Sequence, residues 1–168
     1  MAVLDRSDAI SLGQPFMDRA RAHFARLMAR VDEAGSAALP AAWRDLLACA
    51  AEHFACEDIW MRASGFAERK DHAVQHRVVL EVMRQGAVHA AEGRLTQVRE
   101  MARQLKDWYE THVRTMDAPL ARHLRNLRSG RRHGDVRPQV SAATRPPRLT
   151  ACRSPSESTR PICEVAAG

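Results

Sequence analysis

The sequence predicts an all-α domain, built as an antiparallel up-down-up-down four-helix bundle. Apolar residues between Pro15 and Leu127 recur at helical spacing, and the alternating segments typical of β-strands are absent from this region. Glycine and proline residues divide it into four segments of roughly 20 residues with short connections, an arrangement that favours antiparallel neighbours.

The first predicted helix runs from about Pro15 to Ala34, and Gly35 ends it. The second begins near Pro40, since proline is favoured in a first helical turn, and ends at Gly65. Their core-facing stripes are Met17, Ala20, Phe24, Leu27, Met28 and Val31 in the first helix, and Trp43, Leu46, Leu47, Ala50, Phe54, Trp60 and Met61 in the second.

The third predicted helix runs from about Arg69 to Ala91, and Gly93 separates it from a fourth that begins near Arg94. Val79, Leu80 and Met83 face inward from the third helix. The stripe of the fourth helix comprises Leu95, Val98, Ala102, Leu105, Trp108, Tyr109 and His112.

Composition divides the chain into a helical domain over residues 1–128 and a tail over residues 129–168. The tail contains seven of the 26 basic residues, three of the 20 acidic ones and five of the eight prolines, so the domain itself is nearly neutral. Such a tail buries too little apolar surface to offset its chain entropy, and we expect it to be disordered. It has no aromatic residues for stacking on bases, and we expect no nucleic-acid partner.

We expect a cytoplasmic protein without a membrane partner. The first residues, MAVLDRSDAISLGQP, lack a basic leader followed by an apolar stretch, and no apolar run approaches the ~20 residues that a membrane span requires. The four cysteines include no CxxC pair, which favours reduced thiols over a disulfide framework. The sequence does not indicate an oligomeric state.

Histidine and glutamate residues continue the apolar stripes of three helices. His53 and Glu57 lie four residues apart in the second helix, and His72 and His76 lie four apart in the third. His112 extends the stripe of the fourth. Imidazoles and carboxylates that face the interior of a bundle are typical of a core metal site, and both suit iron. The alternative is a hydrogen-bonded polar core without a metal.

Three segments, HFACEDIWMRASGF, HAVQH and WYETHVRTMD, resemble the HxxxE, HxxxH and HxxxxD motifs of the hemerythrin family, in that order. The resemblance extends from about Phe16 to Leu127. It implies a di-iron, oxygen-binding protein in which His72, His76 and His112 bind one iron and His53 binds the other. It further implies that Glu57 and Asp117 bridge the two irons.

The spacing of His112 and Asp117 needs an explanation, because five residues turn a regular α-helix by about 500° and would separate the two side chains by about 140°. Pro119 removes a backbone donor, so we expect the helix to kink or restart between Met116 and Ala118, which would turn Asp117 inward. The alternative is that Asp117 caps the short helix that follows.

One residue departs from the family pattern. The family has a histidine on the first helix within a stretch similar to MDxTHxEF, whereas this chain reads MDRARAHF and places Arg21 there. A guanidinium has no lone pair to donate to a metal, and His23 lies on another face of the helix. Three outcomes are open: a di-iron centre with water in the empty place, a single metal held by the three histidines and a carboxylate, or no metal. Arg21 favours the single metal, because its charge would replace that of the second iron.

The functional prediction is reversible dioxygen binding, for carriage, storage or sensing, without catalytic turnover. One alternative is a non-haem iron enzyme that reduces peroxide or nitric oxide, or oxidises ferrous iron. Ferritin-like sites of that kind are richer in carboxylates than this set of residues. A metal-free interaction module is the other alternative.

Overall fold

A computed structural model describes residues 12–130, and the predicted tail lies almost entirely outside them. Four long helices form an antiparallel bundle, as predicted, in which α1 and α3 each pack against both α2 and α4. The helices are α1 (Pro15–Glu33), α2 (Leu39–Ser64), α3 (Arg69–Ala91), α4 (Leu95–His112) and α5 (Ala118–Gly130), and a π-helical turn, Val113–Asp117, joins the last two.

The helices end where the sequence predicts, because the residues that end them have specific backbone requirements. Gly65 follows α2 with φ of 68°, in the left-handed region that glycine adopts without steric cost, and its N–H bonds to carbonyls of the last turn. Gly93 takes the same conformation between α3 and α4, with φ of 74°. Proline lies in the first turn of both α1 and α2, as predicted.

Close packing joins α2 to α3 around Trp43. This indole is buried and donates a hydrogen bond from Nε1 to the carbonyl of Met83, at 2.8 Å. A Cβ atom added at Gly86 would lie 2.4 Å from the Trp43 ring, so glycine is the residue that allows the ring to lie against α3. The contact between Trp43 and Gly86 therefore lets α2 and α3 pack closely against each other.

The core has two apolar clusters on either side of a polar layer. Along α2, Ala50 and Phe54 belong to the larger cluster, whereas Trp60 and Met61 belong to the smaller one with Leu120 of α5. Glu57 falls between these groups, His53 lies one residue before Phe54, and both are themselves buried. Within residues 12–130, no helix is long and apolar enough to cross a membrane.

The α-helix ends at His112 and restarts at Ala118, just before Pro119, as expected, but the chain does not break there. It continues instead through the π-helical turn, in which the N–H of Ala118 bonds to the carbonyl of Val113 five residues earlier. This wider turn places residues five apart nearly above one another. His112 and Asp117 therefore share one face of the helix without a break in the chain.

Candidate metal centre

The six predicted ligand residues come together in the polar layer, and all of them are buried. Their donor atoms form two overlapping groups that could each hold a metal ion. We call the group of Glu57, His72, His76 and His112 the first position. We call the group of His53, Glu57 and Asp117 the second position.

At the first position, three imidazole nitrogens converge from two helices. The Nε2 atom of His112 lies 3.1 Å from that of His72 and 3.2 Å from that of His76. Glu57 adds Oε2, which is 3.3 Å from His76 Nε2 and 3.6 Å from His72 Nε2. Donors bonded at about 2.1 Å to a six-coordinate metal lie about 3 Å from their neighbours, so this spacing fits one ion bound to all four atoms.

Two further side chains orient the imidazoles at the first position. Asp58 Oδ1 lies 2.9 Å from His76 Nδ1, and Gln75 Oε1 lies 2.9 Å from His112 Nδ1. Both partner atoms are acceptors, so each Nδ1 carries the hydrogen and donates it. The Nε2 atoms are thereby turned toward the centre, as metal-binding histidines require.

A cation is needed where these atoms converge, because nitrogen lone pairs at such short separations repel one another. In the metal-free protein a proton fills this role. Burial opposes protonation of His76, but the carboxylates of Asp58 and Glu57 raise its pKa to about 9. A metal ion that enters the first position must displace this proton.

Glu57 belongs to both positions. Its Oε1 atom lies 3.3 Å from His53 Nε2, while its Oε2 atom faces the histidines of the first position. Neither oxygen makes a hydrogen bond within residues 12–130 although both are buried. A carboxylate left in this state is costly unless cations lie nearby, so its geometry fits that of a carboxylate shared between two ions.

Asp117 faces the same centre from the π-helical turn. Its Oδ1 atom lies 3.2 Å from His112 Nε2 and 3.3 Å from His72 Nε2, so the carboxylate points toward the imidazoles. Burial alone would raise its pKa, but the neighbouring imidazoles of His112 and His72 hold the pKa well below its usual value. An ionised Asp117 is therefore available to a metal at any physiological pH.

Arg21 occupies the buried face of α1, between Met17 and Phe24 in the stripe. Its Nη1 atom lies 3.4 Å from Asp18 Oδ1. Burial and the charges of Asp117 and Glu57 raise the pKa of Tyr109, and the charge of Arg21 opposes this rise. The second position thus has one protein nitrogen, from His53, and Arg21 adds no donor to it. His23 lies at the surface beside Arg26, at 3.2 Å, and takes no part in either position.

Aromatic rings cover the histidines. Phe54 stacks on His76 with centroids 4.2 Å apart and a 12° angle between the ring planes. Trp108 stacks on His112 at 4.6 Å and 22°. These rings restrict the imidazoles to one orientation and keep water away from the polar layer. Phe24 and Trp60, which belong to the predicted stripes of the first and second helices, are also buried.

Sequence reasoning did not identify Asp58, Gln75 or Tyr109 as part of the centre. Asp58 and Gln75 each lie beside a predicted ligand residue in the chain, but their partners are 18 and 37 residues away. Tyr109 was placed in the core stripe of α4 without a role. Only the packing of the helices against one another shows that Asp58 faces His76, that Gln75 faces His112 and that Tyr109 packs against Phe24.

The comparisons with known proteins agree with this architecture. The chain is 32% identical over 117 residues to a bacteriohemerythrin from Ralstonia nicotianae, and this match covers 70% of the chain and 85% of that relative. No protein-family model matches the chain, and no solved structure matches it significantly. At that identity and coverage, together with the helix order and the buried histidine and carboxylate residues, the chain belongs to the bacterial hemerythrin-like family.

Proposed function

We propose that this protein binds non-haem iron in the polar layer and uses it to bind dioxygen reversibly, for carriage, storage or sensing. The relative's name, bacteriohemerythrin, and the buried histidine and carboxylate groups support this proposal. When bound, iron would supply the redox-active centre at which dioxygen is taken up and released. We further propose that the protein acts in the cytoplasm and carries out no catalytic turnover.

One observation supports the proposal above all others. The Nε2 atoms of His72 and His76 lie within 3.2 Å of His112 Nε2, beside a buried carboxylate oxygen of Glu57. Hydrogen bonding alone does not explain such a cluster, since Asp58 and Gln75 already hold two of the rings by the opposite nitrogen. Neutral imidazole nitrogen and carboxylate oxygen are donors that suit iron.

We propose unequal roles for the two positions. His72, His76, His112 and Glu57 would hold the first ion with four donors. His53 and Asp117, with Glu57 shared, would offer only three donors to a second ion, and Arg21 places a positive charge in the same region. This charge repels a second cation and offsets the carboxylates, so we expect close to one iron per chain.

The residues around the centre would protect bound dioxygen. Phe54 and Trp108 cover two of the histidines, and the polar layer lies between two apolar clusters. A dry, enclosed site would slow the entry of water and of protons to iron held there. This enclosure favours binding over turnover.

The test is an anaerobic addition of ferrous iron to the purified protein, followed by air. We expect visible and near-ultraviolet bands that appear with oxygen and bleach again when oxygen is removed. The variant His112→Ala serves as the matched control, since it removes one donor of the first position. Steady oxygen consumption would instead indicate an enzyme, and the absence of any bands would indicate a metal-free interaction module.

A separate measurement tests the stoichiometry. Metal analysis of the protein after loading and removal of loosely bound iron should give close to one iron per chain. A value close to two would refute the unequal roles of the two positions, while leaving the proposed dioxygen binding intact.

A further inference from the structure

Tyr109 has a buried hydroxyl group that lacks a hydrogen-bond partner among residues 12–130. It is the only tyrosine in the sequence, and its residue is buried on the core face of α4, one turn before His112. Its hydroxyl oxygen is inaccessible to solvent and makes no hydrogen bond with any of residues 12–130. A buried hydroxyl without a partner costs about 1–3 kcal/mol, so native proteins rarely leave one without a reason.

Tyr109 shares the buried face of α4 with His112, and its ring packs against the buried face of α1 that carries Arg21. The ring of Tyr109 contacts Phe24 of α1 at a centroid distance of 4.2 Å. Burial, followed by the charges of Asp117 and Glu57, raises the pKa of Tyr109 well above its usual value, and Arg21 opposes this shift. The hydroxyl is therefore buried on the side of α4 that carries His112 and faces α1, within electrostatic reach of Asp117, Glu57 and the Arg21 guanidinium.

A tyrosine in this environment keeps its proton, and a hydrogen bond donated by its hydroxyl would stabilise it. Both nearby carboxylates disfavour a phenolate, which would add a third negative charge to a buried site. None of residues 12–130 accepts a hydrogen bond from this hydroxyl, so a ligand bound at the centre is a candidate for the missing acceptor.

We propose that the Tyr109 hydroxyl donates a hydrogen bond to a small acceptor ligand bound at the metal centre, and so determines how tightly such ligands are held. This inference rests on the proposed iron binding. The ligand class is a small anion or diatomic molecule with a terminal nitrogen or oxygen acceptor. Arg21 would favour anionic members of this class by its charge.

The experiment uses azide as the probe and Tyr109→Phe as the variant, because this change removes only the hydroxyl. Azide is titrated into the ferric, iron-loaded full chain, and its Kd is read from the visible spectrum. We expect Kd to rise about 10- to 100-fold in the variant, since a hydrogen bond to a charged acceptor is lost, with the iron content unchanged. An unchanged Kd would overturn the inference.

A second readout does not depend on the metal. In the metal-free protein, Tyr109→Phe removes a hydroxyl that has no partner, so the variant should be as stable to urea as the wild type or more stable. A clear loss of stability would show that a protein group already accepts this hydrogen bond, and would overturn the inference.

The spectra also separate this inference from its rivals. A phenolate-to-iron absorption band that disappears in Tyr109→Phe would show that Tyr109 binds the metal directly, and would overturn its role as a hydrogen-bond donor. Iron binding with an unchanged azide Kd would refute the role of Tyr109 alone. Failure of the wild-type protein to bind iron would refute the proposed function as well.

Discussion

The two positions of the centre are adjacent and share Glu57, but they differ in the number of imidazoles and in how firmly these are oriented. At the first position, Asp58 and Gln75 hold the rings of His76 and His112 from behind, and aromatic rings cover both. At the second position a single histidine, His53, faces two carboxylate residues. The difference shows that one group of potential ligands can have its imidazoles fixed from behind while the neighbouring group offers a single imidazole.

The physical reason for the inequality lies in α1. The histidines of the first position come from α3 and α4, whereas the second position draws on α2, the π-helical turn and, in the family pattern, α1. Here α1 supplies Arg21, which cannot donate a lone pair. A single residue on one helix therefore changes one position and leaves the other complete.

The largest expected effect compares one histidine from each position. His112→Ala should weaken iron binding by about a hundredfold or more, since losing a direct ligand should cost at least as much as losing an orienting partner. His53→Ala should weaken it by less than about tenfold if the first position holds the iron. The measurement is competition with a chelator of known affinity. Equal losses in the two variants would contradict the comparison.

A smaller effect should follow from loss of an orienting group. Asp58→Ala removes the carboxylate behind His76, and we expect iron affinity to fall about 10- to 100-fold with the helix content unchanged. Asp45→Ala is the matched control, because Asp45 also lies on α2 but pairs with Arg30 at the surface, at 3.3 Å. If both variants bind iron like the wild type, Asp58 has no orienting role.

The reverse substitution at α1 should make the two positions more alike. Arg21→His supplies the missing nitrogen and removes the guanidinium charge, so iron content should rise from about one to about two per chain. Arg21→Gln removes the charge without adding a comparable ligand and is the control. A value that stays near one in Arg21→His would show that something other than the missing donor limits the second position.

A last prediction concerns the proton at the first position of the metal-free protein. Because the pKa of His76 is raised from 6.5 to about 9, its protonation stabilises the folded state. This contribution is complete below about pH 6.5 and is lost as the pH rises toward 9. Urea unfolding from pH 6 to pH 10 should therefore show a loss of stability that is smaller in Asp58→Asn. Parallel curves for the two proteins would contradict this assignment.

Most of the fold was predictable because its signals are local. Helical spacing of apolar residues and the glycines at 65 and 93 predicted α2, α3 and the start of α4 to within a residue or two. The inward direction of His53, Glu57, His72 and His76 was also predictable, since residues four apart share one face of a helix. The π-helical turn was not, because no local pattern distinguishes a wider turn from a kink before Pro119.

By itself, the sequence determined four amphipathic helices, the inward histidines and the substitution of Arg21, since each follows from spacing along one helix or from one residue's chemistry. Only the tertiary structure decided that Asp58 and Gln75 face the backs of two histidines, and that Tyr109 packs against Phe24 of α1 with its hydroxyl lacking an acceptor among residues 12–130. The reason is geometric: these contacts join different helices, and they depend on the rotation and separation at which the helices pack.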